Sequence, residues 1–286
     1  MSASASTRID SECPARLPAG FPALFVAHGA PTMALQPGAA GAALIQAVAG
    51  LPKPRAIIVV SAHWQTTHPT IGCAPAFDTR HDFQGFPPAL YDLRYPARSD
   101  PAVADRVYQL LRRNGFTARI DRVRGLDHGA WTPLRLLFPA ADIPVVALSL
   151  QNAGGPDHHF RLGQALAPLL ADDILLLASG NVTHNLGDFH RSLVEGATTP
   201  AYVRQFADWL WHALDAGDLA ALLDYRRQAP HAARAHPSDE HLLPLYVALG
   251  AACGQDGDYR AERLYAGVDF AILAMDGFAF RPATAR

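Results

Sequence analysis

Three histidines, His28, His63 and His184, each follow a run of Val, Ile, Leu and Ala residues with the composition of a buried strand. Because buried parallel strands end at one edge of a sheet, we expect the three imidazoles to meet at that edge. Neutral imidazole is a common ligand of divalent iron and zinc. The pattern therefore predicts a metal site at the carboxyl ends of the strands, with all three histidines as candidate ligands.

A fourth candidate ligand, His241, stands beside Asp239 and Glu240 in a polar stretch. We interpret this stretch as the start of a helix that Ser238 caps, so that the helix N-terminus points into the same crevice. Two histidines and one carboxylate are a common ligand set for non-haem iron, which makes Asp239 and Glu240 rival ligands. Adjacent helical residues point about 100° apart, so these neighbours are not expected to face one metal together.

His128 lies between Asp127 and Gly129 in a loop expected at the same edge of the sheet. A histidine that is near a metal but not bound to it is suited to proton transfer, because its ordinary pKa is close to neutrality. His128 is therefore a candidate catalytic acid or base. His184 is interpreted as either a fourth ligand or a second acid or base, and the residue pattern leaves both roles open.

The elements that position these residues follow from apolar periodicity and from Gly and Pro breaks. The predicted strands are 23–27, 56–61, 70–73, 116–120, 143–150 and 174–178, with one or two closing strands in 263–280. The predicted helices are 39–49, 101–113, 133–137, 159–170, 202–216, 219–227 and 239–249. This alternation predicts an α/β fold: a single three-layer domain with a mostly parallel central sheet flanked by helices. The long aromatic loop 65–96 is interpreted either as a lid or binding loop or as a cover for the sheet edge.

Composition excludes several classes of function. Of the 286 residues, 17% are charged and the formal net charge is -2, which gives no electrostatic reason to expect a nucleic acid or an anionic membrane surface as partner. No apolar run approaches the roughly eighteen residues that a membrane span needs. The expected partners are small molecules, and homo-oligomerisation is left open.

The cysteines and the N-terminal residues bear on the cellular setting. Cys13, Cys73 and Cys253 are odd in number and far apart, which argues against a disulfide framework and a cysteine zinc site. We therefore expect a reducing compartment and a cytoplasmic location. Residues 1–20 are rich in Ser, Ala and Pro and lack the apolar core of a secretory signal, so we expect a flexible extension before a catalytic domain at 21–286.

Ordered motifs around the candidate residues resemble the class III extradiol ring-cleaving dioxygenases, specifically those of the DOPA-dioxygenase type. The resemblance runs from Phe21 to about Phe280. The matching motifs span 25–31, 61–64, 81–83, 85–87, 90–92, 95–97, 126–131, 179–181, 184–185 and 240–245. The family implies an α/β fold, in agreement with the periodicity.

The resemblance implies a metal held by His28, His63 and His241, with His184 as a further ligand or close neighbour and His128 as an acid or base. Related protocatechuate-cleaving enzymes use a glutamate as third ligand, whereas the DOPA type uses the histidine at position 241. The implied cofactor is non-haem Fe(II), with Zn(II) able to occupy the site. The implied reaction cleaves a small catechol with O2 to a muconic semialdehyde-type product. The alternatives are a zinc-dependent hydrolase of a small ester or amide and a non-enzymatic interaction homologue.

Overall fold

The buried apolar runs of the sequence become strands of one eight-stranded sheet. The computed structural model describes residues 20–151, 153–192, 198–255 and 257–283. The strands are β1 (Ala23–Ala27), β2 (Ala56–Thr66), β3 (Thr70–Gly72), β4 (Arg119–Asp121), β5 (Val145–Gln151), β6 (Ile174–Gly180), β7 (Tyr259–Tyr265), β8 (Val268–Asp269), β9 (Leu273–Ala274) and β10 (Gly277–Pro282). The helices are α1 (Gly38–Ala49), α2 (Pro88–Tyr91), α3 (Pro101–Arg113), α4 (His128–Leu137), α5 (Gly155–Leu166), α6 (Leu186–Ser192), α7 (Ala201–Ala216), α8 (Leu219–Leu223), α9 (Tyr225–Gln228), α10 (Ala232–Ala235) and α11 (Leu243–Cys253). Short 3-10 helices occupy Pro31–Ala34 and Ala167–Asp172.

The centre of the sheet is parallel. Its strand order is β4-β3-β5-β2-β6-β1-β10-β7, and β5, β2, β6 and β1 pair in parallel. The pairings of β3 with β5, β1 with β10 and β10 with β7 are antiparallel. Every residue of β1, β5 and β6 is buried, as expected for strands covered on both faces. The predicted mostly parallel central sheet is thereby confirmed.

Helices cover both faces of this sheet and complete the three layers. On one face α11, all of whose residues are buried, packs against β1, β6 and α5. A side chain at Gly250 would overlap the carbonyl oxygen of Phe160, so glycine permits the close approach of α11 to α5. On the other face α4 packs against β2, β6 and α1. The carboxyl ends of β1, β2 and β6 therefore lie between the N-termini of α4 and α11.

The start of α11 corrects the prediction of a helix over 239–249. The helix begins at Leu243, because Pro244, which has no N–H to donate, fits the first turn. His241 lies in the preceding turn, not in the helix. Ser238 does not cap α11; its hydroxyl donates to Oε1 of Glu240 at 3.1 Å.

Other boundaries also differ from the prediction. Helix α4 begins at His128 and not near Pro133, because the Asp127 side chain caps it by accepting from the Ala130 N–H at 3.2 Å. The predicted strand 116–120 is the shorter β4, and the predicted helix 219–227 is divided into α8 and α9 at Asp224. The predicted extension 1–20 lies outside the described residues except for Gly20. Among the described helices, none is long and apolar enough to cross a membrane.

Candidate metal centre

Three imidazoles converge at the carboxyl edge of the sheet. Nε2 of His63 lies 3.1 Å from Nε2 of His28 and 3.3 Å from Nε2 of His241. Nitrogen ligands about 2.1 Å from one ion, at angles between octahedral and tetrahedral, lie about 3.0–3.4 Å apart. Both distances from Nε2 of His63 therefore fit nitrogen ligands of a single divalent metal ion.

A bulge in β2 brings His63 into this cluster. The pairing with β5 passes from Val60–Leu148 to Gln65–Leu150, so β2 advances five residues while β5 advances two. The extra residues leave the regular pleat of the strand, which redirects their side chains. The bulge is held by Ser61, whose hydroxyl accepts from the His63 N–H at 3.2 Å and donates to Oδ1 of Asp127 at 2.6 Å.

Two of the three imidazoles have a hydrogen-bond partner behind them. Nδ1 of His28 lies 2.9 Å from the hydroxyl of Ser179, and Nδ1 of His241 lies 3.0 Å from Oε1 of Glu240. Because an ionised carboxylate only accepts, the His241 Nδ1 carries the proton and its Nε2 keeps a lone pair. Such outer partners orient histidine ligands and increase their basicity.

The rival carboxylates have other roles in this geometry. Glu240 stands behind His241, on the side away from the converging nitrogens. The Asp239 carboxylate forms an ion pair with Arg226 and accepts a hydrogen bond from the Tyr225 hydroxyl at 2.8 Å. These contacts anchor the turn that carries His241.

His184 lies against the cluster and stacks on His241. The two ring centroids are 3.4 Å apart and the ring planes are 11° from parallel. Ligand atoms of His184, Glu240 and His241 lie within 4.8 Å of one another, and those of His28, His63 and His128 form a second such group. His184 is therefore a close neighbour of one candidate ligand, and its role as ligand or as acid or base stays a prediction.

His128 is the first residue of α4, and its ring centroid lies 4.1 Å from that of His63. Oδ1 of Asp82 lies 2.9 Å from the backbone N–H of His128 and 3.0 Å from its Nδ1. Burial alone would raise the pKa of Asp82. Its hydrogen bonds with His128 and its electrostatic interactions with His128 and His63 nevertheless hold the pKa below the ordinary value.

Gly129 allows α4 to approach the cluster. A Cβ atom at this position would lie 2.5 Å from Oγ of Ser61 and 2.8 Å from Cδ2 of His63. Real Cβ contacts do not reach such distances, so a side chain here would displace either the helix or the His63 ring. The glycine next to His128 thus sets the distance between α4 and the candidate ligands.

Burial favours the neutral form of the histidines in and beside the cluster. Burial lowers the pKa of His63 to about 3 and that of His184 to about 4, and His128 adds to the effect in both. Burial and the neighbouring imidazoles also hold the pKa of His28 and of His241 well below the ordinary value. Neutral imidazole is the form that binds a metal ion, so burial favours the metal-binding form of these side chains.

A cavity of about 540 Å³ opens over the cluster. Its apolar walls come from the aromatic loop, from α6 and from the residues before and in β9: Phe83, Phe86, Leu186, Phe189, Ile272 and Leu273. This volume lies within the usual range for sites that bind small molecules. A flat aromatic ring would therefore find apolar contacts on several sides while its edge faces the histidines.

Hydrogen bonds hold part of the aromatic loop in place. The Leu126 N–H donates to the Asp78 carbonyl and the Arg80 N–H donates to the Leu126 carbonyl, both at 2.8 Å. The indole N–H of the buried Trp131 donates to the Arg80 carbonyl at 2.9 Å. These hydrogen bonds tie the loop to α4 and to the residues before it, and Phe83 and Phe86 of the same loop line the cavity.

Asp82, Ser61 and Ser179 are the contacts of the site that sequence reasoning missed. Asp82 belongs to one of the matching motifs, but nothing in its sequence neighbourhood connects it to His128, 46 residues away. Ser179 and His28 are 151 residues apart. Such contacts depend on strand order and register, for which local periodicity carries no signal.

Comparisons with known proteins bear on the family and the fold of the chain. A family model described as the catalytic LigB subunit of aromatic ring-opening dioxygenase matches residues 22–274. The chain is 38% identical to a 4,5-DOPA dioxygenase extradiol from Beta vulgaris, covering 90% of this chain and 95% of that protein. It is 39% identical to a protein of the same name from Escherichia coli K12, covering 82% and 87%. The crystal structure of an uncharacterized Escherichia coli K12 protein superposes with a TM-score of 0.73 at 30% identity, covering 91% of this chain and 99% of that one.

Proposed function

The chain belongs to the family of catalytic LigB subunits of aromatic ring-opening dioxygenases, and we propose that it cleaves a small DOPA-like catechol at a non-haem Fe(II) held by His28, His63 and His241. The observation that carries the proposal is the convergence of three Nε2 atoms at 3.1 and 3.3 Å. Three neutral nitrogens at such distances repel through their lone pairs unless a proton or a cation lies between them. The curated relatives from Beta vulgaris and Escherichia coli, both named for 4,5-DOPA, support the substrate class.

Iron suits this donor set and this reaction. His28, His63 and His241 would hold the ion from one side and would leave its cavity side open to small molecules. Bound Fe(II) supplies the redox chemistry that links catechol and O2, which Zn(II) lacks. Imidazole ligands do not exclude zinc, and the general affinity order places Zn(II) above Fe(II), so a purified sample can carry zinc.

His128 and His184 are the proposed proton-transfer groups. Both line the cavity beside the cluster, where they can take a proton from a catechol hydroxyl and return one to the opening ring. We assign His184 to this role and not to ligation. Its ring stacks face to face on that of His241, with the centroids 3.4 Å apart, whereas Nε2 of His63 faces the Nε2 atoms of His28 and His241.

The cavity walls orient the ring and exclude water. Phe83 and Phe86, with ring centroids 5.3 Å apart, pack edge to face on one side of the cavity. Phe189 and Leu186 lie on α6 at another part of the wall. Enclosure by apolar side chains strengthens the electrostatic interactions within the site and limits side reactions with bulk water.

The proposed setting is the cytoplasm. Both cysteines in the described part of the chain, Cys73 and Cys253, are free and buried. Burial also raises the pKa of the Cys253 thiol to about 12, which makes it unreactive toward disulfide exchange.

The test is anaerobic reconstitution with Fe(II), followed by air and a catechol panel that includes DOPA and protocatechuate. Oxygen uptake and the yellow ring-opened product are measured, with a zinc-loaded sample as control. We expect oxygen-dependent product with iron and none with zinc. Zinc-dependent turnover of an ester or amide without oxygen would instead favour a hydrolase, and failure to bind any divalent metal would favour an interaction homologue.

A further inference from the structure

The carboxylate of Asp82 makes two hydrogen bonds to one residue. Its Oδ1 atom accepts from the backbone N–H of His128 at 2.9 Å and lies 3.0 Å from Nδ1 of the same residue. The Asp82 side chain is 23% exposed and lines the cavity. Its second oxygen, Oδ2, lies 3.7 Å from Nδ1 of His63, which is too far for a hydrogen bond.

The direction of these bonds determines the proton position on the ring. An ionised carboxylate has acceptor sites only, so the contact at 3.0 Å requires a proton on Nδ1 of His128. In a neutral imidazole the other nitrogen, Nε2, then carries a lone pair. His128 lines the cavity, so a ligand bound there lies next to this side chain.

Resting on the proposed function, we propose that Asp82 is a positioning residue that holds His128 in its Nδ1–H form, so that Nε2 can take a proton from the catechol. Without an acceptor beside Nδ1, a neutral imidazole favours the opposite form, in which Nε2 carries the proton. His128 would then be unable to accept a proton at the nitrogen left for the substrate. The carboxylate acts through His128 and does not touch the reacting atoms.

The residues on either side of Asp82 fix the position of its carboxylate relative to His128. Asp82 follows the stretch of the aromatic loop whose backbone bonds to Leu126, and it precedes Phe83, whose ring meets the His128 ring edge to face at 5.6 Å. His128 is held from the other side as the first residue of α4, next to the cap Asp127. The loop that forms the cavity wall thus also sets the orientation and the proton position of the base.

The first measurement is the tautomer itself, read by long-range ¹H–¹⁵N correlation NMR of histidine-labelled, Zn(II)-loaded protein. Zn(II) is diamagnetic, and no turnover is needed. The His128 signal is assigned with His128→Gln. We expect His128 to be in the Nδ1–H form in the wild type and to shift towards the Nε2–H form in Asp82→Ala. Asp82→Asn keeps an oxygen that accepts both N–H groups, so we expect it to retain the wild-type form.

The second measurement is steady-state kinetics of the iron-loaded variants. We expect Asp82→Ala to lower kcat about 100-fold with KM nearly unchanged, within the range that general acid–base catalysis contributes. Asp82→Asn should recover most of this loss. The matched control Asp105→Ala removes one carboxylate from an exposed position of α3 and should leave both parameters unchanged.

Three outcomes would overturn the inference: an Nε2–H form of His128 in the wild type, an unchanged tautomer in Asp82→Ala, or a changed tautomer with an unchanged kcat. If Asp82→Ala does not fold, the tautomer of His128 in the wild type and in Asp82→Asn still shows whether the proton is held on Nδ1. If no catechol is cleaved by the wild type, the proposed function fails, while the NMR result still reports whether Asp82 holds the proton on Nδ1.

Discussion

The buried His159 and the cluster of His28, His63 and His241 differ in where their ring nitrogens point. In α5, Nε2 of His159 accepts from the Gln151 N–H at 3.1 Å, and its Nδ1 donates to the Gly155 carbonyl at 2.6 Å. Both nitrogens of this ring have a protein partner that suits them. In the cluster of His28, His63 and His241, the Nε2 atoms face one another instead.

The difference teaches how to separate structural histidines from candidate ligands. Burial does not distinguish the groups, because His159 is 0% exposed and His28 is 1% exposed. The pKa does not distinguish them either, since burial lowers the pKa of His159 to about 4 and that of His63 to about 3. What differs is the arrangement of partners: the His159 ring has a donor and an acceptor from the protein, whereas Nε2 of His63 faces the Nε2 atoms of His28 and His241.

The largest expected effect breaks the cluster. His63→Ala removes the only described imidazole whose Nε2 contacts both His28 and His241. We expect Fe(II) affinity to fall by more than the roughly 100-fold that loss of an outer partner can cost, and ring cleavage to fall to background. Metal content after gel filtration and oxygen uptake measure the two effects. Wild-type metal content in this variant would contradict the proposed ligand set.

The effect of metal removal on the free energy of unfolding distinguishes the cluster from His159. Because the metal would bind the folded cluster and not the unfolded chain, free metal at 1,000 times Kd should add about 4 kcal/mol to the free energy of unfolding. Thermal unfolding with and without a chelator measures this shift. The shift should be retained in His159→Ala and lost in His63→Ala. Equal shifts in the two variants would show that the metal binds elsewhere.

His159→Ala should lower the free energy of unfolding and leave metal binding and ring cleavage unchanged. It leaves the N–H of the buried Gln151 without its acceptor, which costs about 1–3 kcal/mol. Urea unfolding measures the loss, and metal content and kcat should match the wild type once the protein is folded. Loss of bound metal in this variant would mean that His159 also supports the metal-binding cluster.

The smallest expected effect concerns Ser179 behind His28. Ser179→Ala removes the partner 2.9 Å from Nδ1 and leaves the three Nε2 atoms in place. We expect about 10-fold weaker Fe(II) binding, at the low end for an outer partner, with kcat at saturating iron close to wild type. Competition with a chelator of known affinity measures the change. Ser149→Ala, a buried serine on β5 outside the cavity lining, is the control.

The parts of this molecule that follow from local patterns were predictable. The four parallel central strands are continuous apolar runs, and His28 and His63 follow from where such runs end. His241 was reached through its polar neighbourhood and the family resemblance. The structure brings these three residues together, while their roles as ligands stay predictions.

The parts that depend on distant pairing were not predictable. Pro133 suggested a helix start, but the cap at Asp127 starts α4 one turn earlier and places His128 on the helix. The bulge in β2 arises from its register with β5, and Asp82 reaches His128 across 46 residues. These features can be predicted only once the strand order is known, because the strand order determines which side chains come into contact.

The fully buried α11 has a consequence for how the protein is made. This helix packs beneath β1, β2 and β6, and the turn that leads into it delivers His241 to His63 across 178 residues of chain. A ribosome-bound chain that has emerged only as far as β6 exposes the sheet face that α11 will cover, and it holds His28 and His63 without their third partner. Binding of a metal ion by all three proposed ligands would therefore come late, after translation has passed His241, and the sheet face stays uncovered until α11 has emerged.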